Sequence, residues 1–155
     1  IESKYRVIGD SKHRAIAGLS MGGGGSVVYV QNHPEMFTAC YPMSAAVSHR
    51  PKNEPSVPQG DNKFTRWRKS MVENDAIEFV RNADEATRCN LSGVAWMIDC
   101  GDDDFLLDVN VEFYQAMRDA AIPAELRVRD GIHDWTYWTG ALQTCLPFVT
   151  RNFKK

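Results

Sequence analysis

The order of apolar segments predicts an α/β fold, a mostly parallel sheet with helices on both faces, forming a single domain over residues 1–155. Three observations point there. Short apolar runs alternate along the chain with segments of helical period, and a strand–helix–strand order calls for parallel pairing with right-handed crossovers. The run Val94-Ala95-Trp96-Met97-Ile98 is apolar without alternation, as a strand covered on both faces reads. Finally, Gly18-Leu19-Ser20-Met21-Gly22 stands between the apolar run Ala15-Ile16-Ala17 and the stretch from Gly23 to Val30, which reads as a strand, a tight turn and a helix. Chain reversal in so few residues leaves little room for β-carbons, so glycines at 18 and 22 are expected to flank a strained Ser20.

The elements follow in order. After the first strand, a helix over 22–32 ends before His33-Pro34, because a residue preceding proline avoids helical angles. Its β-branched residues suit a buried helix. Phe37 to Met43 is a second strand. Residues 48–62 hold three prolines and little periodicity, and read as a long pocket-shaping loop. Two modest helices follow, over 64–72 with Trp67 and Met71, and over 75–82 with Ile77, Phe79 and Val80. The third strand, 94–98, ends at Asp99-Cys100-Gly101. Val109, Phe113, Met117 and Ala120 recur at helical spacing up to Pro123, with Asp108 as a candidate N-cap. Leu126 and Val128 alternate with Glu125, Arg127 and Arg129 as a fourth strand. A terminal helix carries Trp135, Trp138, Leu142, Leu146, Val149 and Phe153 as its apolar stripe, with Pro147 expected to kink or divide it.

Composition narrows the chemistry. With 43% hydrophobic and 25% charged residues, the chain has the makings of one ordinary core. A formal charge of -2 and a pI near 6.1 provide no basic field for nucleic acid or an anionic membrane, and no apolar run reaches membrane-spanning length. Neutral or small substrates are favoured. The first nine residues lack the apolar stretch of a signal peptide, so targeting leaves the compartment open. Cysteines at 40, 89, 100 and 145 match neither a close-paired zinc spacing nor a redox pair. Buried free thiols are the plainer reading, and one or two disulfides in an oxidising compartment the other.

In an open parallel sheet, functional residues gather beyond the carboxyl ends of the strands. Ser20, the aspartates at 102–104 and His133 each fall just past a predicted strand, so three loops bring them to one rim. A serine hydroxyl is a poor nucleophile at neutral pH. It needs an imidazole to take its proton and a carboxylate to hold the imidazole's tautomer. The chain order Ser, Asp, His is the one found when the nucleophile sits on an α/β-hydrolase elbow. Of the four histidines, only His133 follows the last strand; His13, His33 and His49 read as surface or capping residues. For the acid, Asp99, Asp102, Asp103, Asp104 and Asp108 are all near one strand end. Asp104, past the Gly101 turn and beside Phe105-Leu106-Leu107, is favoured, with Asp103 the runner-up. The Met21 amide would meet the developing oxyanion. The second amide donor comes, in this architecture, from upstream of the nucleophile strand, where this chain has about a dozen residues. Trp135, Tyr137 and Trp138 beside His133 are candidates for an aromatic or sugar subsite, with core packing the plainer role for the two tryptophans; Trp67 and Tyr41 leave the same choice.

The stretches Ala17-Gly18-Leu19-Ser20-Met21-Gly22-Gly23-Gly24-Gly25, Ile98 to Leu107 and Gly131-Ile132-His133-Asp134-Trp135-Thr136-Tyr137-Trp138 together resemble the putative-esterase family of α/β-hydrolases. This family includes esterase D, S-formylglutathione hydrolases, feruloyl and acetylxylan esterases, tributyrin esterases and mycolyltransferases. The resemblance covers nearly the whole chain. It implies Ser20 as nucleophile, Asp104 as acid and His133 as base, acting without a cofactor or metal on a small-molecule or polysaccharide ester. It also implies an acyl-enzyme mechanism nearer the tributyrin and plant-polysaccharide esterases, and a secreted or periplasmic location. The alternatives are acyl transfer to a sugar or lipid hydroxyl, with an acceptor groove formed partly by 48–62, and a silent carbohydrate-binding module. Family members carry upstream strands and the other oxyanion donor, so the resemblance further implies a carboxyl-terminal portion, completed by an N-terminal half or a second chain.

Overall fold

A computed structural model describes residues 3–48 and 60–153. It contains a four-stranded, wholly parallel sheet in the order β1 (Ala15–Leu19), β2 (Ala39–Met43), β3 (Ala95–Gly101), β4 (Glu125–Arg129). Between and after the strands lie α1 (Met21–Asn32), α2 (Lys63–Glu73), α3 (Ala76–Arg81), α4 (Glu85–Ser92), α5 (Leu107–Asp119) and α6 (Trp135–Arg151).

The period-2 alternation of the two central strands divides the interior into two cores. Cys40, Trp96 and Ile98 face α1, α3, α4 and α5, where Val27, Val30, Ile77, Val80, Leu91, Phe113 and Met117 pack. Among the described residues, Ala39, Tyr41, Met43 and Met97 face α6, against Tyr137, Trp138, Ala141, Cys145 and Phe148. Pairing of Leu19 with Met43, Met43 with Asp99 and Gly101 with Arg129 sets all four carboxyl ends on one rim.

Several expectations change. β3 runs on through Asp99 and Cys100 to Gly101 rather than stopping at Ile98. α4 was not anticipated, although Asp84, which caps Thr87 N–H at 2.8 Å, and Gly93 at its far end mark its limits. Asp75 is the N-cap of α3, accepting from the Ile77 and Glu78 amides. α5 begins at Leu107, so Asp108 lies in its first turn and is not the cap.

The alternation of β4 does not separate core from water: Val128 is exposed, while Arg127 reaches Thr144 of α6 and Arg129 stacks on Tyr137. On α6 the buried stripe is Tyr137, Trp138, Ala141, Cys145 and Phe148, leaving Trp135, Leu142 and Leu146 exposed. Pro147 does not divide α6, which continues to Arg151. The proline lies on the exposed side, where water can reach the carbonyl it leaves unbonded and where a helix curving round a core opens its bonds.

All four cysteines are free thiols, Cys89 exposed and the other three buried. The pocket-shaping loop expected over 48–62, including His49, lies largely outside the described residues, and so does the Trp67 side chain.

Candidate active site

Ser20 follows β1 directly and opens α1. Its φ of 53° and ψ of -121° lie in a region that costs a non-glycine residue on the order of 1–3 kcal/mol. Backbone bonds from both neighbours hold it there. Its N–H donates to the Met43 carbonyl at 2.9 Å, and its own carbonyl accepts from Gly24 at 3.1 Å and Ala46 at 3.0 Å.

The glycines around it are not equivalent. A β-carbon on Gly18 would stand 2.2 Å from the Gly22 carbonyl oxygen, and one on Gly24 2.2 Å from that of Ala46. A β-carbon on Gly22 would meet no described atom within 4 Å. The tight approach expected on both sides of Ser20 therefore exists at Gly18 but not at Gly22. The further close contact comes from α1 closing onto the loop that follows β2.

The candidate acids differ in burial. Asp104 is buried, whereas Asp102, Asp103 and, in the first turn of α5, Asp108 are exposed. Asp104 Oδ1 accepts the Leu106 N–H at 2.9 Å, and its carboxylate lies 2.8 Å (Oδ2) and 3.0 Å (Oδ1) from His133 Nδ1. On the far side of the ring, His133 Nε2 is 2.9 Å from Ser20 Oγ. A carboxylate can only accept, so Nδ1 carries the proton and Nε2 is free to accept from the serine hydroxyl. Asp102 instead accepts the Gly131 N–H at 3.0 Å, and the Asp103 amide donates to the Gly131 carbonyl at 3.1 Å. These two aspartates hold the backbone of the histidine turn.

Asp99, still within β3, is fully buried and bonded to Tyr41, Tyr137 and Arg129, away from His133. His33 is the C-cap of α1, and His13 lies 2.7 Å from Asp10.

The His133 ring lies between Phe105, at 4.6 Å, and the edge of Trp138, at 4.9 Å. Trp138 is buried and donates its indole N–H to Ser44 Oγ at 3.1 Å. Trp135, expected to pack in the core, is instead 68% exposed, and Phe105, next to Asp104, is 77% exposed. Met21, next to Ser20 in the chain, and Ile132, next to His133, are also exposed. Tyr137 and Tyr41 are interior residues bonded to Asp99. Met21 is the first residue of α1, and its amide is among those a helix start leaves unpaired. A pocket of about 490 Å³ lies along the outer face of α1, lined by Met21, Gly24, Val28, Tyr29, Met71 and Asn74 among others; it adjoins Ser20 but does not contain it.

Residues 1–149 match the family described as "Putative esterase". The chain belongs to the putative-esterase family. Among solved structures, it is similar to a ferulic acid esterase, at 56% identity and a TM-score of 0.90, over 99% of this chain and 57% of that one. It shares the fold of an S-formylglutathione hydrolase from Staphylococcus aureus, at 20% identity and a TM-score of 0.71, over 96% of this chain and 55% of the other. The same holds for a capsule O-acetyltransferase of Neisseria meningitidis serogroup A, at 13% identity and a TM-score of 0.64, over 96% and 59% of the two chains. The putative-esterase chain thus spans a little over half the length of these neighbours, and its four parallel strands with helices are part of an α/β-hydrolase sheet.

Proposed function

We propose that this chain carries the catalytic triad of a serine esterase that hydrolyses carboxylic esters, with aromatic esters of plant polysaccharides as its substrate class. One observation carries the reading: the continuous hydrogen-bond chain from Asp104 through His133 to Ser20. In this mechanism Ser20 Oγ attacks the ester carbonyl as His133 Nε2 takes its proton, and Asp104 stabilises the resulting imidazolium. The oxyanion is held by the Met21 amide. His133 then returns the proton to the departing alcohol, and water repeats the sequence on the acyl-enzyme. In this reading a second amide donor joins that of Met21, as acyl-transfer sites of this kind use two. The exposed Phe105, Ile132 and Trp135 beside His133 would receive an aromatic acyl group, and the similarity to a ferulic acid esterase favours that class. A silent carbohydrate-binding module would have no use for a strained serine bonded to an imidazole.

The test uses the intact protein. Ser20→Ala should lower turnover of methyl ferulate by about 10³-fold or more and abolish labelling by a fluorophosphonate. Undiminished hydrolysis would refute the assignment of Ser20. Methyl ferulate should exceed methyl butyrate in kcat/KM by about tenfold or more, as burial of an aromatic ring allows. Equal values would remove the aromatic class while leaving the esterase.

A further inference from the structure

His133 sits on a five-residue turn, 130–134, between β4 and α6, and that turn must hold an imidazole on a line between Asp104 and Ser20. The fixing of its two stems is visible. Asp99, fully buried on β3, reaches both of them. On the β4 side it bonds Arg129 Nη2 at 3.3 Å, and on the α6 side it accepts the hydroxyl of Tyr137. The two stems also touch each other, since the Arg129 guanidinium lies 4.5 Å from the centre of the Tyr137 ring. That ring in turn presses on the turn itself. Gly131, with φ of 148°, would place a β-carbon 2.5 Å from Tyr137 Cδ2, and Gly101 would place one 2.2 Å from the Gly131 carbonyl oxygen. The backbone of the histidine turn is thus packed between the end of β3 and the Tyr137 ring.

We propose that Asp99 and Tyr137 are positioning residues for His133, with the Asp99 carboxylate clamping both stems of its turn to the strand that leads to Asp104. The inference rests on the esterase reading for its kinetic arm only. Misplacement of a reacting group by about 1 Å can cost about 10²-fold in rate, so a clamp acting through the turn should be read in kcat. Tyr41 provides the control. It also donates one phenolic hydroxyl to Asp99, at 2.5 Å, but from β2, which has no part in the turn.

In the intact protein, Tyr137→Phe keeps the ring over Gly131 and removes the hydroxyl. It should lower kcat for methyl ferulate about tenfold or more with KM unchanged, and broaden the low-field Nδ1–H proton resonance of the His133–Asp104 hydrogen bond. Tyr41→Phe should lower Tm while leaving kcat and that resonance in place. Arg129→Lys, which keeps the charge but loses the stack on Tyr137, should lower kcat severalfold at constant KM, and it serves as the test if Tyr137→Phe does not fold. Unchanged kcat and resonance in Tyr137→Phe, equal losses in Tyr41→Phe, or an unchanged kcat in Arg129→Lys would each overturn the proposal. The resonance is read without turnover, so failure of the esterase reading, seen as an active Ser20→Ala, is distinguished from failure of the clamp.

Discussion

Three consecutive aspartates, identical in side chain, occupy three different environments within one loop. Asp102 faces water and binds a backbone amide, Asp103 contributes its own amide, and Asp104 turns inward to the imidazole. The last also ties the loop to the start of α5 through Leu106, so its carboxylate orients His133 from a fixed base. Asp104→Asn keeps the shape but offers an amide where the imidazole needs an acceptor, and should reduce kcat by about 10³–10⁴-fold. Asp103→Asn should leave kcat within about twofold, because Asp103 is exposed and the ring's Nδ1 is bonded to Asp104. Steady-state assays on the two variants check the contrast, and the opposite ranking would move the acid to Asp103. The choice was legible only as a preference in the sequence, since a run of like residues has no periodicity to say which one points inward.

At the level of elements, the elbow depends on a close approach of helix to strand that one glycine permits and another does not affect. Gly18→Ala would drive a methyl into the Gly22 carbonyl, and either β1 or the start of α1 must move. We expect loss of the folded protein or of Ser20 labelling. Gly22→Ala meets open space in a helical conformation and should stabilise by about 0.5–1 kcal/mol, raising Tm by roughly 1–4 °C in calorimetry. A Tm falling as far for Gly22→Ala as for Gly18→Ala would contradict this. The motif told where the turn is, but which glycine is sterically required depends on what β2 and α1 bring against it. α6 makes the same point. Its apolar residues are too many for one stripe, and the sheet selects Tyr137, Trp138, Ala141, Cys145 and Phe148, while Trp135 stays at the site's rim.

For the molecule as a whole, the buried thiols offer a pH test. Burial pushes Cys145 up to about 11 and Cys100 up to about 12 from an ordinary 9.0, with Asp104 adding to the effect at Cys100. Cys40, Tyr41 and Tyr137 are also raised, by burial first. The unfolded chain releases thiol protons from about pH 9, while the folded one holds them to about 11–12. Stability present below pH 9 is therefore lost as pH rises through that window, and Tm should fall steeply between pH 9 and 11. A flat profile would show the thiols to be exposed. Among the described residues β1 pairs with β2 alone, leaving its other edge without a strand. Expressed by itself, the segment 1–155 should therefore associate through that edge and the exposed Leu142 and Leu146. A stable, active monomer on size-exclusion chromatography would contradict this.

By itself the sequence determined the four strands in order, the parallel sheet and the loops that hold Ser20 and His133. Those follow from local periodicity and from short motifs that bend the chain in only one way. Only the tertiary structure decided that Asp104 faces the imidazole, that Trp135 faces solvent and that Asp99 fastens both stems of the histidine turn. The contacts behind these choices join β3 and the loop after it to the histidine turn and its stems across 29 or more positions of sequence, and create burial that no window along the chain contains.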